Sequence, residues 1–144
     1  MTTIEVLAAM LLVAVIAGLC YSYDALGRDM WARGESQSAA QDAVQRAGNE
    51  VARLGLPAVD VLAASPGSLT LQKKDGTQVS LVLTAGGDLE RVEGTAHTVV
   101  ATGLSAFEPQ FDAVQRVLTV GIAAEEGPVP LSTVVRVQLR NHSG

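Results

Sequence analysis

The sequence of 144 residues is poor in charge and in aromatic side chains. Charged residues make up 17% of the chain and hydrophobic residues 48%, whereas soluble domains carry about 25% charged residues. This deficit predicts that part of the chain lies in an environment other than water. Aromatic residues are only 3% of the chain, so we expect the core of the folded part to consist of Val, Leu, Ile and Ala.

Cysteine and clustered basic residues are also scarce. The one cysteine, Cys20, cannot form an intramolecular disulfide. Its place in an apolar segment favours a buried small apolar residue over intersubunit pairing or lipid attachment. A nucleic-acid-binding surface needs a stripe of Lys and Arg, but only Lys73 and Lys74 are adjacent and the net charge is −5. We therefore expect no nucleic-acid partner.

An uncharged, largely apolar run extends from Val6 to Tyr23. As a helix of about 18 residues it would be roughly 27 Å long, which is close to the thickness of a bilayer's hydrocarbon core. It is apolar on all sides, which is typical of a helix buried on every side. Tyr21 and Tyr23 end the run and Trp31 follows, where an interfacial aromatic belt would lie.

No Lys or Arg precedes this run, and no small-residue cleavage site follows it. Both features disfavour a cleavable signal peptide. A plain signal anchor normally carries flanking positive charge. We therefore expect either that a basic flank has been removed or that the segment is not held as a plain anchor.

Glu5 is the one charged residue before this run. A carboxylate at the centre of a membrane helix costs about 2.5–3.5 kcal/mol and is a functional candidate. Alternatively, Glu5 reaches the lipid head groups and complements the helix dipole in the first turn. If Glu5 is buried, it needs a cationic partner, and the amine of a neighbouring parallel chain would supply one and fix the axial register. Both interpretations stay open from the residues alone.

The stretch Thr2-Thr3-Ile4-Glu5-Val6-Leu7-Ala8-Ala9 resembles the mature N-terminus of type IV pilins and type II secretion pseudopilins. In that family prepilin peptidase removes a basic leader ending in Gly, the first mature residue is hydrophobic and N-methylated, and the fifth is Glu. The resemblance implies that Met1 is the methylated first residue. It also implies that Glu5, with Thr2 nearby, mediates assembly by pairing with the N-terminal amine of a neighbouring subunit.

A looser similarity to minor pilin W and J-type pseudopilins covers roughly the last two-thirds of the chain. It is carried by four segments: Val51–Gly55, Gly87–Arg91, Val99–Leu104 and Thr133–Asn141. This similarity favours a minor subunit. Whether the filament is a retractile pilus, a competence pilus or a secretion pseudopilus stays open.

The resemblance implies a structural subunit of a type IV pilus-like filament and not an enzyme. Its implied partners are other pilin subunits, in a homopolymer or a heteropolymer, together with prepilin peptidase and the inner-membrane assembly machinery. Before assembly the chain would span the inner membrane once, with a periplasmic head, and afterwards it would lie in an extracellular or periplasmic filament. The alternative is a membrane-anchored periplasmic binding module that does not polymerise.

The N-terminal helix is predicted to continue beyond the apolar run. Apolar residues recur at alternating spacings of four and three, which is an amphipathic stripe: Ala40, Val44, Ala47, Val51 and Leu54. Leu54-Gly55-Leu56-Pro57 is a stop signal in which Gly55 suits the left-handed position after a helix.

Flexibility of this helix is expected to depend on glycine, because Ser22 stands where the family usually has Pro. Gly18, Gly27 and Gly34 are the candidates, and each Gly weakens a helix by about 1 kcal/mol relative to Ala. The region Leu26–Gly34 is the expected joint. Alternatively, these glycines permit close packing of neighbouring helices.

After Pro57 the pattern changes to short alternating segments, which predicts a β-rich head. The predicted strands are Ser68–Lys73, Gln78–Leu83, Leu89–Val92, Thr98–Val100, Leu104–Phe111, Arg116–Ile122 and Ser132–Arg140. Asp75-Gly76 predicts a hairpin turn, and Val59–Ala64 is predicted as a loop or a short turn of helix.

The predicted fold class is α+β, with a long N-terminal helix packed by its second half on an antiparallel sheet. Residues 1–25 would form the transmembrane or filament-core helix, 26–56 its amphipathic continuation and 57–144 the head.

Catalytic and metal-binding patterns are not found in the sequence. Metalloprotease, nucleophile-elbow and P-loop motifs are missing, and the isolated His97 and His142 make a poor metal site. Some pseudopilin heads bind calcium, and Glu125-Glu126 with Asp112 or Asp88 is the candidate set, although adjacent acids in a Gly/Pro loop are more often a solvated turn. We therefore predict no catalytic residues, no metal and no cofactor.

Overall fold

The computed structural model describes residues 2–125 and 130–140, which form one helix and eight strands. Met1, Glu126 and His142 lie outside the described residues. The helix α1 spans Thr3–Gly55. The strands are β1 Asp60–Ser65, β2 Ser68–Gln72, β3 Gln78–Leu83, β4 Leu89–Glu93, β5 Ala96–Ala101, β6 Ala106–Asp112, β7 Val117–Ala124 and β8 Leu131–Gln138.

The chain divides into two compact units, one ending at Ser36 and one beginning at Gln37. The second unit contains the last part of α1 and all eight described strands. Its strands pair in sequence order and antiparallel, as a five-stranded sheet β1–β5 and a three-stranded sheet β6–β8. The predicted α+β class, with a helix on antiparallel strands, is confirmed.

Alternation of buried and half-exposed side chains explains why the strands form. Leu69 and Leu71 of β2 and Val79 and Leu81 of β3 face the core, because neighbouring side chains on a strand point to opposite faces. The two strands pair Leu69 with Leu81 and Leu71 with Val79. The pairing therefore stacks the apolar residues of both strands on one face.

The prediction of a loop or helical turn at Val59–Ala64 is wrong, because Asp60–Ser65 pairs with β2 as the edge strand β1. The register shifts between Val61 and Ala63, which marks a bulge. The last four residues of β1 are exposed. An edge strand that buries so little lacks the apolar alternation by which the other strands were predicted.

The second part of α1 supplies the helical side of the core, and it contacts β5, β7 and β8. All five residues of the predicted stripe are buried, together with Ala43, Gly48 and Gly55. A Cβ at Gly48 would lie 3.2 Å from Val135 Cγ2, and a Cβ at Gly55 would lie 3.1 Å from Val137 Cγ1. Glycine therefore allows β8 to approach the helix closely.

Gly55 does not adopt the expected left-handed conformation, since the φ angle of this last residue of α1 is not positive. The close approach of Val137 explains why this position is glycine, and the end of the helix does not.

Glu50 of α1 forms ionic contacts with Arg53 of the same helix and with Arg91 of β4. Its Oε1 accepts hydrogen bonds from Arg53 Nη2 at 2.6 Å and from Arg91 Nη1 at 3.1 Å, and its Oε2 accepts one from Arg53 Nε at 3.0 Å. Burial alone raises the pKa of Glu50, since its side chain is only 13% exposed. The hydrogen bonds and positive charges of both arginines outweigh burial and hold the pKa below its ordinary value of 4.5.

The turn between β3 and β4 is fixed by a close approach to the backbone of Leu104. Leu104 N donates a hydrogen bond to Gly87 O at 2.9 Å. Gly87 has a φ of 85°, and a Cβ there would lie 2.9 Å from Leu104 O. Gly76, in the turn between β2 and β3, has the same φ of 85° but no neighbour within 4 Å of a Cβ.

We predict that Gly87→Ala destabilises the head more than Gly76→Ala does. Both variants carry the cost of a left-handed Ala, about 1–2 kcal/mol. Gly87→Ala adds a clash with backbone and should cost about 1–3 kcal/mol more. Hydrogen exchange of the β3 and β4 amides under native conditions measures the free energy of opening. Equal losses in the two variants would contradict a role for the Leu104 contact.

We also predict that Glu50 contributes a pH-dependent part of the head's stability. Because its pKa is lower in the folded state than in the unfolded chain, the contribution is present above about pH 4.5 and is lost as pH falls through the folded pKa. Glu50→Gln should thus be less stable than the parent at about pH 7, and the difference should shrink towards about pH 3. Exposed Glu108→Gln is the control, and a difference that does not change with pH would reject the prediction.

Candidate functional site

The first part of α1 exposes apolar side chains on all sides. More than half of the surface of each of these side chains is accessible: Ile4, Leu7, Met10, Leu11, Leu12, Val13, Val15, Ile16 and Leu19. Judged by length and composition, α1, the helix of the described part of the chain, is long and apolar enough to cross a membrane. The most apolar stretch of α1 is not buried against any other described part of the chain. This segment therefore requires lipid or other protein around it.

A reciprocal pair of hydrogen bonds between Thr2 and Glu5 closes the start of α1. Glu5 N donates to Thr2 Oγ1 at 3.4 Å, and Thr2 N donates to Glu5 Oε2 at 3.0 Å. This is a capping box, in which Glu5 Oε2 satisfies the N–H of Thr2 and Thr2 Oγ1 is a second acceptor for Glu5 N, which also donates to Thr2 O at 3.1 Å. Sequence reasoning missed this contact, although the spacing Thr-x-x-Glu ahead of an apolar run is its usual signal.

The capping box aims the Glu5 carboxylate at the N-terminal end of α1, where the helix dipole favours negative charge. A carboxylate has two oxygens and about four acceptor positions. A bond accepted from Thr2 N by Oε2 therefore leaves capacity for a further donor. Met1, the predicted donor in a neighbouring chain, lies outside the described residues.

Gly18, Gly27 and Gly34 all lie within the continuous helix α1. A Cβ at any of the three would have no neighbour within 4 Å, so no contact within the described chain requires glycine there. Ser22, in the place of the family's Pro, donates its hydroxyl to Gly18 O at 2.9 Å. The expected flexibility at these glycines stays a prediction.

The end of the apolar run and the residues that follow it are exposed. Tyr21, Tyr23 and Trp31 are exposed, as is Cys20, which the sequence favoured as a buried residue. Two ion pairs at i,i+4 spacing, Arg28–Asp24 at 2.8 Å and Arg33–Asp29 at 2.7 Å, follow the run. This boundary between apolar and charged surface fits the edge of an apolar environment.

The head's candidate metal residues are not brought together in the part of the chain that the structure describes. Within that part, no group of three or more His, Cys, Asp or Glu side chains lies close enough to hold a metal ion. Asp112 Oδ1 accepts hydrogen bonds from Val114 N and Gln115 N in the turn after β6. His97 Nδ1 lies 3.4 Å from Glu90 Oε2.

The chain matches no family model, and no curated protein or solved structure is significantly similar to it. Function is therefore inferred from the geometry of α1 and of the head.

We predict that the full chain stays in the membrane after alkaline carbonate extraction, because the exposed apolar part of α1 needs an apolar environment. A fragment beginning at Gln37 should instead be soluble without detergent, since the second unit holds the buried core. Sedimentation and detergent-free size-exclusion chromatography measure both outcomes. Release of the full chain by carbonate would contradict membrane insertion.

Proposed function

We propose that the chain is a structural subunit, of the minor pilin or pseudopilin type, of a type IV pilus-like filament. The observation that carries the proposal is the helix α1 of 53 residues. Its first part exposes apolar side chains on all sides, and its last part belongs to the core of a β-rich unit. Such a segment is suited both to a bilayer and to a bundle of like helices, because both environments are apolar.

Glu5 supports this proposal through its position. It is the only charged residue between Thr2 and Tyr23, and an unpaired carboxylate in a dry helix bundle is costly. In the proposed filament Glu5 accepts a hydrogen bond from the Met1 amine of a neighbouring subunit while it keeps its bond to Thr2 N. The same carboxylate then caps its own helix and fixes the register of the next.

The family resemblance implies the sequence of events that we propose for the subunit. Prepilin peptidase and methylation produce the N-terminus at Met1, and the helix waits in the inner membrane with the head in the periplasm. The assembly machinery then moves it into a homopolymeric or heteropolymeric filament, where the first part of α1 forms the core and the head forms the outer surface.

We predict that Glu5→Gln blocks incorporation into filaments without disturbing the helix. Gln also completes a capping box but carries no charge, so the variant separates the two roles of Glu5. Loss of one partner of a buried charge pair costs about 3–5 kcal/mol, so incorporation should fall by at least about tenfold. Glu5→Ala and Glu5→Val should also remain in the membrane and fail to assemble. Sheared filaments and membranes from the native host are compared by immunoblotting.

Thr2→Ser is the matched control, because Ser also serves as an N-cap, and it should assemble normally. Normal incorporation of Glu5→Gln would refute the charge role. The mass of the N-terminal peptide is the second measurement: a methylated Met1 directly before Thr2 is expected of the processed subunit.

The alternative function is a membrane-anchored periplasmic binding module that does not polymerise. The capping box favours it, because the box gives Glu5 a role within its own chain. An unmethylated N-terminus, together with absence of the chain from filaments, would select this alternative.

A further inference from the structure

Six large side chains form a line along one side of α1, which we name the seam. They follow one another at alternating spacings of four and three residues: Leu12, Ile16, Leu19, Tyr23, Leu26 and Met30. Each of the six is between 52% and 75% exposed, so the described part of the chain leaves the seam uncovered.

This spacing indicates a second helix as the partner of the seam. Alternating steps of four and three average 3.5 residues, which keeps one side of a helix against another through a left-handed supercoil. Contact with lipid alone sets no such period, because lipid surrounds the helix on every side. The next position in the series is Arg33, which is paired with Asp29 at 2.7 Å, and the seam ends there.

The seam also continues past the uncharged run into water-compatible sequence. In the chain, Leu26 lies between Asp24 and Arg28, which form one ion pair, and Met30 lies between Asp29 and Arg33, which form the other. On a helical wheel Asp24 and Arg28 fall away from the seam, whereas Arg33 lies in line with it and ends it. The charged side chains hold this part of α1 near water, so the two apolar side chains gain from burial against protein.

The positions beside the seam favour close approach of a second helix. Cys20 and Gly27 directly follow Leu19 and Leu26, and both are small. A Cβ at Gly27 would meet nothing within 4 Å in its own chain, although Gly lowers helix stability. Small residues beside the contact line let two helix backbones come close.

We propose that two copies of this chain pair in parallel through the seam from Leu12 to Met30 while they are anchored in the membrane. Two copies inserted by the same segment in the same direction present equal seam positions to each other. Six side chains on each helix, on the order of 100 Å² each, supply roughly 1,000 Å² of contact, which is the scale of a specific interface. The inference rests on the proposed function only for the membrane anchoring, and it adds the partner and the contacting side.

Disulfide crosslinking of the full chain in membranes tests the pairing. In a Cys20→Ser background, Leu26→Cys places a thiol in the seam, and Ala25→Cys places one at the neighbouring residue on another side of the helix. Disulfides need Cα atoms within about 4.4–6.8 Å, so after mild oxidation we expect at least about fivefold more covalent dimer from Leu26→Cys than from Ala25→Cys.

A second pair of variants tests whether the seam itself holds the dimer. Adding Met30→Asp to the Leu26→Cys chain puts a charge in the seam and should abolish crosslinking, whereas Trp31→Asp, one residue off the seam, should leave it. Equal dimer from Leu26→Cys and Ala25→Cys, no dimer from Leu26→Cys, or a crosslink of Leu26→Cys only to a different protein would each overturn the proposal.

The experiment is done in cells without the filament assembly machinery, and filament incorporation is measured separately in the native host. Dimers without incorporation would reject the filament function and keep the pairing. Incorporation without dimers would reject the pairing and keep the filament function.

Discussion

Backbone hydrogen bonding along α1 is the constraint on which the other features depend. In an apolar environment every N–H and C=O must find a partner within the segment, and a continuous helix meets this demand. The same helix continues to Gly55, and its last turns are part of the core of the head. The first backbone N–H groups of a helix have no carbonyl partner within it. At the start of α1 the side chains of Thr2 and Glu5 supply acceptors.

Glycines in the two units of the chain have different physical explanations. Gly48 and Gly55 lie against Val135 and Val137, and a side chain at either position would press on β8. The glycines in the unit before Ser36 have open space around them, so their own chain gives no reason for them. Contacts within the chain therefore explain why Gly48 and Gly55 are glycines. In the proposed dimer, the approach of a neighbouring helix explains the glycine at position 27.

Local patterns were enough to predict the helix, its buried stripe and most strands. Gln78–Leu83, for example, was predicted with the bounds that the structure has, because its alternation is complete. Strand β1 was missed because an edge strand needs little apolar surface. The division into two sheets and the contact of Glu50 with Arg91, 41 residues away, depend on tertiary packing, which no local pattern records. The Thr2–Glu5 box, in contrast, is a local feature, since the spacing Thr-x-x-Glu ahead of an apolar run is enough to predict it.

The placement of the aromatic side chains has a spectroscopic consequence. Trp31, Tyr21 and Tyr23 are the only tryptophan and tyrosines of the chain, and all lie on α1 before Ser36, while the head carries only Phe107 and Phe111. Intrinsic fluorescence excited in the tryptophan band therefore reports the surroundings of the helix and gives no signal from the head. Transfer of the helix from lipid to another environment can be followed in the unlabelled protein by the emission of a single residue.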